Sequence, residues 1–309
     1  MRLKDARSFW RIMRSVSLRE IEVEASRSIS VALVGLPERR NEALSRLFPD
    51  KDPDTAHPLL RTFATIAEQD GFPQESGSFD LVLDAGGGWA PTEAHISTVS
   101  ILELRGWEAA VERILDEKPG LALALGRRFA GLRPSVARRI IRETSMANAE
   151  FAMLNALPGI VPVLGLLVPT TIMGDMLILA KNQAMMLYRL AACYDLPLDL
   201  RARAQDAVPL LGGSFGWRAL ARELVGIVPM GVGLIARGVV AYAGTYALGE
   251  AMRQYYELGR RPGRAEFHRL YRSAIGEARL AVASLQSQMR RLPSPRALLK
   301  GRSDDAGDA

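Results

Sequence analysis

Apolar and polar residues are spread unevenly along the chain, and two long apolar runs dominate the pattern. Residues 151–174 (FAMLNALPGIVPVLGLLVPTTIMG) pass 24 positions without a charge, and about 20 apolar residues are what a helix needs to cross a bilayer core. A second run, residues 224–249 (LVGIVPMGVGLIARGVVAYAGTYALG), is of similar length and carries one charge, Arg237. Two such runs predict a hydrophobic hairpin. Pro158, Pro162 and Pro169 remove backbone donors from the first run and Pro229 does so early in the second, so broken or re-entrant segments compete with full spans. A hairpin buried in a soluble α bundle is the third reading. The length rule favours insertion into a membrane.

The chain ahead of these runs has a different rhythm. Residues 1–28 place Phe9, Trp10, Ile12, Met13, Val16 and Ile21 at helical spacing among Arg, Lys and Glu, a basic amphipathic helix that lies on a membrane or packs on the next domain. Residues 30–35 (SVALVG) read as a buried strand, 37–41 as a turn, and 42–48 as a short helix with Leu44, Leu47 and Phe48 inward. Residues 59–68 fit either strand or helix. Residues 79–84 (FDLVLD) are a second buried strand, closed by Ala85-Gly86-Gly87-Gly88, residues 99–104 a third, and 107–116 an amphipathic helix. Strands alternating with short helices over 29–126 predict a small parallel α/β sheet.

Residues 126–134 (GRRFAGLRP) read as a basic loop, with Ser135 as the cap of a helix that carries Arg138, Arg139 and Arg142 into the first apolar run. Asp175 is the expected cap of a helix over 176–193, and 200–210 gives a short helix. A mainly helical domain therefore covers 135–258. A final amphipathic helix occupies 264–292, with Phe267, Leu270, Ile275, Leu280, Leu285 and Met289 inward, and the polar tail 293–309 has the composition of a disordered segment. No internal repeat is evident.

Composition changes this picture in three ways. The chain of 309 residues is long enough for two domains with cores of their own. Its net charge of +6, mostly from Arg, favours an anionic membrane surface, while aromatics are 6% and do not interleave with the basic clusters, which argues against nucleic acid. Cys193 is the single cysteine, which excludes a disulfide framework and suits a reducing compartment. The first 18 residues are charged throughout and do not read as a secretory signal. Basic residues flank both outer ends of the hairpin and place them on the cytoplasmic side, although Lys181, Arg189, Arg201, Arg203, Arg218 and Arg222 between the runs weaken a simple two-span topology.

A phosphate-binding loop needs Gly-x-x-x-x-Gly-Lys-Ser/Thr, because backbone N–H groups cradle the phosphates, the Lys neutralises them and the hydroxyl holds Mg²⁺. Gly35 follows a strand here, but Arg40, Asn41 and Glu42 stand where Gly, Lys and Ser/Thr are required. The second strand ends in Asp84, at the Mg²⁺-supporting position of such folds, followed by Gly86. Gly35, Arg40, Asn41, Glu42, Asp84 and Gly86 thus outline a vestigial nucleotide site with its phosphate chemistry removed, and no cofactor or metal is expected. Gly212-Gly213-Ser214-Phe215-Gly216 matches a nucleophile elbow but lacks the strand that must precede it. His57, His95 and His268 are far apart and offer no base or metal set. Gly233, Arg237, Ala241, Thr245 and Gly249 recur every four residues as a small-residue face that admits a close helix neighbour. Arg237 in that face must reach a carboxylate, of which Asp175 is the candidate, or else point to solvent.

Residues 138–258 resemble the bacterial domain of unknown function 697. The resemblance lies in a proline-rich apolar loop followed by Asp175, Gln183 and Met186, then Ile227-Val228-Pro229 and Gly244-Thr245-Tyr246-Ala247-Leu248-Gly249. It implies a membrane-associated domain of the kind that often follows a Ras-like GTPase domain, on the cytoplasmic side of a bacterial inner membrane. Asn41 and Glu42 replace that GTPase's Lys and Ser/Thr, so hydrolysis is not carried over, and Arg237 interrupts an otherwise small and apolar segment.

The sequence thus predicts a degenerate P-loop GTPase-like α/β domain followed by a helical, hydrophobic-hairpin domain. The role predicted is non-catalytic binding or scaffolding at an anionic inner leaflet, with a protein partner or self-association undetermined. Asp175, Gln183, Arg237 and Thr245 are the candidate polar residues of the hydrophobic domain. A nucleotide-switched membrane GTPase and a soluble helical interaction protein are the alternatives.

Overall fold

The computed structural model describes residues 18–49, 60–63, 79–85, 98–100, 106–155, 172–199, 234–260 and 262–291. Within them the protein is mostly helical, with one small parallel sheet. Helix α1 (Leu18–Ser26) precedes strand β1 (Val31–Val34), helix α2 (Pro37–Leu47) and strands β2 (Leu60–Phe63), β3 (Leu81–Asp84) and β4 (Thr98–Ser100). Helices α3 (Trp107–Glu117), α4 (Ala122–Arg128), α5 (Arg133–Leu154), α6 (Ile172–Cys193), α7 (Leu234–Leu258) and α8 (Arg264–Arg291) follow.

The strands pair in the order β2-β1-β3-β4, all parallel, with Val31 opposite Leu60 and Leu81, and Val34 opposite Phe63 and Asp84. Parallel neighbours require crossover connections, which is what the strand and helix alternation encodes. The two central strands, VALV and LVLD, are buried along their whole length. Alternate residues divide between two faces, as strand geometry demands. Val31, Leu33, Leu81 and Leu83 enter the main core, while Ala32, Val34 and Val82 gather with Phe79 on the other face.

That main core does not stop at the domain boundary read from the sequence. It continues from the sheet through Leu47 of α2 and Ile114 and Leu115 of α3 to Leu125 of α4, Ile141 of α5, Leu187 and Tyr188 of α6 and Met252 of α7. Each fully buried aliphatic side chain contributes roughly 1.5–3 kcal/mol by leaving water, so sheet and helices are held as one packed unit. Helix α1 is part of it. Ile21 and Ala25 are buried, Glu24 pairs with Arg189 of α6 at 2.7 Å, and Arg128 of α4 donates to the carbonyls of Ser26 and Arg27. Of the two placements open to this helix, its described turns take the one against protein.

Several local expectations change. The turn expected over 37–41 is the first turn of α2, because Pro37 at the first helical position supplies a preset φ and lacks only an N–H that would go unpaired there. The basic loop expected over 126–134 is helical at both ends, α4 running to Arg128 and α5 starting at Arg133. Ser135 lies inside α5, buried, and accepts a hydrogen bond from Arg138 at 3.2 Å instead of capping the helix. Helix α6 begins at Ile172, which puts Asp175 within its first turn and not at its cap.

Helices α5, α6 and α7 form the centre of the helical layer. Gly249 of α7 packs on Ile141 of α5 and Met186 of α6, and Gly238 packs on Met153 of α5 and Val282 of α8. With Thr245 bonded to Gln183 of α6 and Tyr242 to Glu277 of α8, these pairings make α7 antiparallel to α5 and α8, and parallel to α6. The C-terminus of α5 and the N-termini of α6 and α7 therefore share one end of the layer. Helix α8 lies along α7 through Phe267, Tyr271, Ala274, Ala278 and Val282. The sequence pattern had placed Leu280 inward, yet it is 77% exposed. Ala243, Ala247 and Ala251 of α7 let the backbones approach, and the small stripe of α8 fits that gap better than a leucine stripe does.

Residues 234–249 of the second apolar run lie in α7, where Gly238, Tyr242, Ala243, Thr245, Ala247, Leu248 and Gly249 are buried in the helical layer. The rest of the two runs, 156–171 and 224–233, lies outside the described residues, as do the Gly212–Gly216 motif, His57 and His95. Among the described residues, no helix is long and apolar enough to cross a membrane.

Candidate functional site

The residues nominated for a vestigial nucleotide site fall in a local structure that explains their chemistry. Gly35 and Leu36 are the only residues between β1 and α2. A phosphate loop needs several residues whose N–H groups point inward before the helix starts. Here the Arg40 N–H is already committed to the Leu36 carbonyl at 2.9 Å, and Asn41 lies inside the helix. Glu42 turns along the helix surface, where Arg46 donates to it at 3.0 Å and Arg39 lies at 3.5 Å. Gly35 is required for a different reason. A Cβ there would sit 2.8 Å from the Ala85 carbonyl oxygen, and the Ala85 N–H bonds the Val34 carbonyl at 2.7 Å. The ends of β1 and β3 are therefore laced together, with Asp84 buried beside them, while Gly86 lies outside the described residues.

Among the four polar residues nominated in the hydrophobic domain, the fold brings Gln183 and Thr245 together at the centre of the helical layer. Thr245 of α7 is 1% exposed and its hydroxyl oxygen accepts two hydrogen bonds, from the side-chain amides of Asn148 on α5 at 2.9 Å and of Gln183 on α6 at 3.2 Å. Asn148 is completely buried, and its carbonyl oxygen accepts from Asn182 of α6 at 2.8 Å. One turn earlier on α5, the buried Ser145 donates to the Ile141 carbonyl at 2.7 Å. Three helices thus meet at a polar knot inside an apolar layer. Such groups are costly to bury unless each finds a partner, and here one acceptor, the Gln183 Oε1, is buried without one.

The knot is held in register by its surroundings. Ile141 and Met186 press on Gly249 one turn beyond Thr245, and Met153 presses on Gly238 two turns before it, so α7 cannot slide without collision. On the α8 side, Glu277 accepts from the Tyr242 hydroxyl at 2.9 Å and from Arg142 at 3.0 Å, tying α5, α7 and α8 at one carboxylate. The Tyr242 and Tyr246 rings stack with centroids 6.0 Å apart. Further along α7, Arg253 lies against Glu250 at 2.6 Å and against Glu257, and the Glu250 hydrogen bond, outweighing the cost of burial, holds its guanidinium firmly charged.

Arg237 and Asp175 are not part of this knot. Arg237 is exposed, and the side chain of Asp175, its expected partner, lies outside what is described. Arg138, Arg139 and Arg142, expected to flank the apolar run, sit in the half of α5 far from it. They pair instead with Glu108 and Asp116 of α3, with Glu143 and with Glu277. For Arg139 these bonds outweigh burial and hold the guanidinium more firmly charged than usual.

Asn148 and Asn182 are the members of the knot that the sequence reading missed. A signal was present: Asn148 follows Ile141 by seven positions and Ser145 by three, on the stripe that faces α7, and an amide on an apolar helical stripe needs a partner from another helix.

The chemistry available is narrow. The knot contains amides and the hydroxyls of Ser145 and Thr245, none of which titrates in the ordinary range, and it offers neither a base for Thr245 nor an acid. Among the described residues, no group of three or more His, Cys, Asp or Glu side chains converges as metal ligands would. Comparison with known protein families, with curated proteins and with solved structures found no match to the chain.

Proposed function

We propose that the protein is a non-catalytic, membrane-associated binding or scaffolding protein, built from a P-loop GTPase-like α/β domain that has lost its nucleotide chemistry and a helical domain that anchors it. One observation carries this reading most strongly. The first apolar connection leaves α5 and enters α6 at the same end of the helical layer at which residues 224–233 enter α7. Two proline-rich apolar segments joined in sequence to one end of the layer would serve as a single hydrophobic attachment, whether spanning or re-entrant. The opposite end carries the ion pairs of Arg139 with Asp116 and of Arg127 with Asp195.

The likeness of residues 138–258 to the domain of unknown function 697 points the same way, towards the cytoplasmic face of a bacterial inner membrane. The two-residue link between β1 and α2 supports a binding or scaffolding role over a nucleotide switch, because it leaves no loop to cradle phosphates. The experiment is direct. Full-length protein purified without detergent is mixed with lipid vesicles and spun in a density gradient. Flotation with the vesicles is expected. Protein that stays monodisperse at the bottom, whatever the vesicle composition, overturns the reading.

A further inference from the structure

Helix α8 turns one continuous stripe to solvent. Arg269, Arg272, Gly276, Leu280, Ala283 and Ser287 follow one another at three- and four-residue intervals, on one side of the helix, and all are exposed. Leu280, at 77%, is the most exposed large apolar side chain among the described residues. The charge of the stripe is uncompensated. Glu277 is spent on Arg142 and Tyr242, and Glu266, which feels the charge of Arg269, spends its hydrogen bonds on Arg260. Among the described residues no ion pair reaches the exposed Arg269, Arg272 or Arg279, and no other helix carries three exposed arginines in that state.

Residues 292–309 lie outside the described part, but their sequence matches this stripe in order and in spacing. Pro293 and Pro295 cannot continue a helix and bias the residues before them to extended backbone. Residues 296–305 then read RALLKGRSDD. In an extended chain alternate side chains share a face, so Leu299, Gly301, Ser303 and Asp305 fall on one side, and Lys300 and Arg302, which the stripe would repel, fall on the other. The reach also fits. Residues 292–299 cover up to about 23 Å when extended, enough for the roughly 12 Å from Arg291 back to Ala283 at 1.5 Å per residue and for a reversal of roughly 10 Å, the spacing of packed elements. The chain from Leu299 to Asp305 covers about 20 Å more. That is about 13 residues of helix, which sets the carboxylate level with Arg269 and Arg272.

We propose that residues 296–305 fold back along α8 as an extended strap, with Leu299 on Leu280 and Ala283 and with Asp305 between the guanidinium groups of Arg269 and Arg272. Leu280 then leaves water, and a carboxylate meets the stripe where two arginines stand one turn apart. A tethered strap needs little intrinsic affinity, because a short linker supplies an effective concentration in the millimolar range. The contact is made in water and does not rest on the membrane reading.

The test uses the full-length chain in dilute solution, with C193A as the common background, a glutathione redox buffer and two cysteine pairs, G276C/G301C and S287C/G301C. The fraction of disulfide gives the effective concentration of each pair. A chain without a docking site favours S287C/G301C, the pair closer in sequence, because closing a loop costs more as the loop lengthens. The strap reverses that order, and G276C/G301C is expected to exceed the other pair roughly tenfold. D305N lowers its value about threefold to fivefold, the worth of an exposed ion pair, and K300Q/R302Q leaves it unchanged. Matching thermal melts establish that the variants fold. S287C/G301C at or above G276C/G301C overturns the strap, as does indifference to D305N or an equal loss in K300Q/R302Q. A disulfide that joins two chains moves the segment to a second copy and overturns it too.

Discussion

The side-chain amide of Asn148 donates to the hydroxyl of Thr245 at 2.9 Å, across two helices whose sequence positions are 97 apart. Thr245 also accepts from Gln183, so one hydroxyl satisfies two buried donors. Replacing it with the near-isosteric Val leaves both amides without an acceptor, at about 1–3 kcal/mol for each. T245V is therefore expected to lower the urea midpoint clearly with an unchanged m value. The triple variant N148L/Q183M/T245V, which removes donors and acceptor together, should recover part of that loss. A T245V protein as stable as wild type would show that the knot contributes little.

Gly249 marks the closest approach of α7 to its neighbours. A Cβ there would lie 2.7 Å from Ile141 Cγ1 and 3.0 Å from Met186 Sδ. Overpacking of this kind costs typically 1–3 kcal/mol, against about 1 kcal/mol of helix propensity gained by Gly→Ala. G249A is expected to destabilise the wild type, and to become neutral or stabilising in an I141A background where the space exists. G276A is the control. Nothing lies within 4 Å of its Cβ position on exposed α8, so there the propensity gain should appear alone.

Burial pushes the Cys193 thiol up to about 12 from its ordinary 9.0, opposed in part by Arg133, and it pushes the neighbouring Tyr194 hydroxyl up as well. Because the folded thiol keeps its proton where the unfolded one has lost it, the stabilising contribution is complete below pH 9 and declines between pH 9 and about 12. The expected slope is about 1 kcal/mol per pH unit, and C193A should flatten it. A thiol-directed alkylating reagent at pH 8 should modify the unfolded chain and spare the folded one.

The two-residue link from β1 to α2 predicts indifference to nucleotides. GTP, GDP or ATP with Mg²⁺ should leave the melting temperature unchanged, since a ligand that bound the folded chain would raise it by mass action. A rise of several degrees at millimolar GTP would restore the nucleotide-switched alternative.

The central strands were legible because VALV and LVLD are short apolar runs bounded by turn residues. The long helices were legible because their apolar spacing repeats every three to four residues over many turns. That residues 40–42 do not form a phosphate loop was legible for a simpler reason: such a loop needs residue types that Arg40, Asn41 and Glu42 are not. Boundaries failed where a few residues carried conflicting signals, as at Pro37, where proline marks a helix start as readily as a turn.

Periodicity alone determined which residues share a face of a helix. Only the packing decided what each face meets. Gln183 and Thr245 were nominated singly, but their joint partner Asn148 lies on a helix 35 residues earlier than Gln183. Arg138 and Arg139 read as a basic flank of an apolar run, yet they reach carboxylates on α3, and α8 buries Ala274 and Ala278 while leaving Leu280 in solvent. A helical stripe is a local property of the chain, fixed by 3.6 residues per turn. A hydrogen bond or ion pair between stripes depends on which helices lie side by side and at what height, and that is settled when the whole layer packs at the density of a solid.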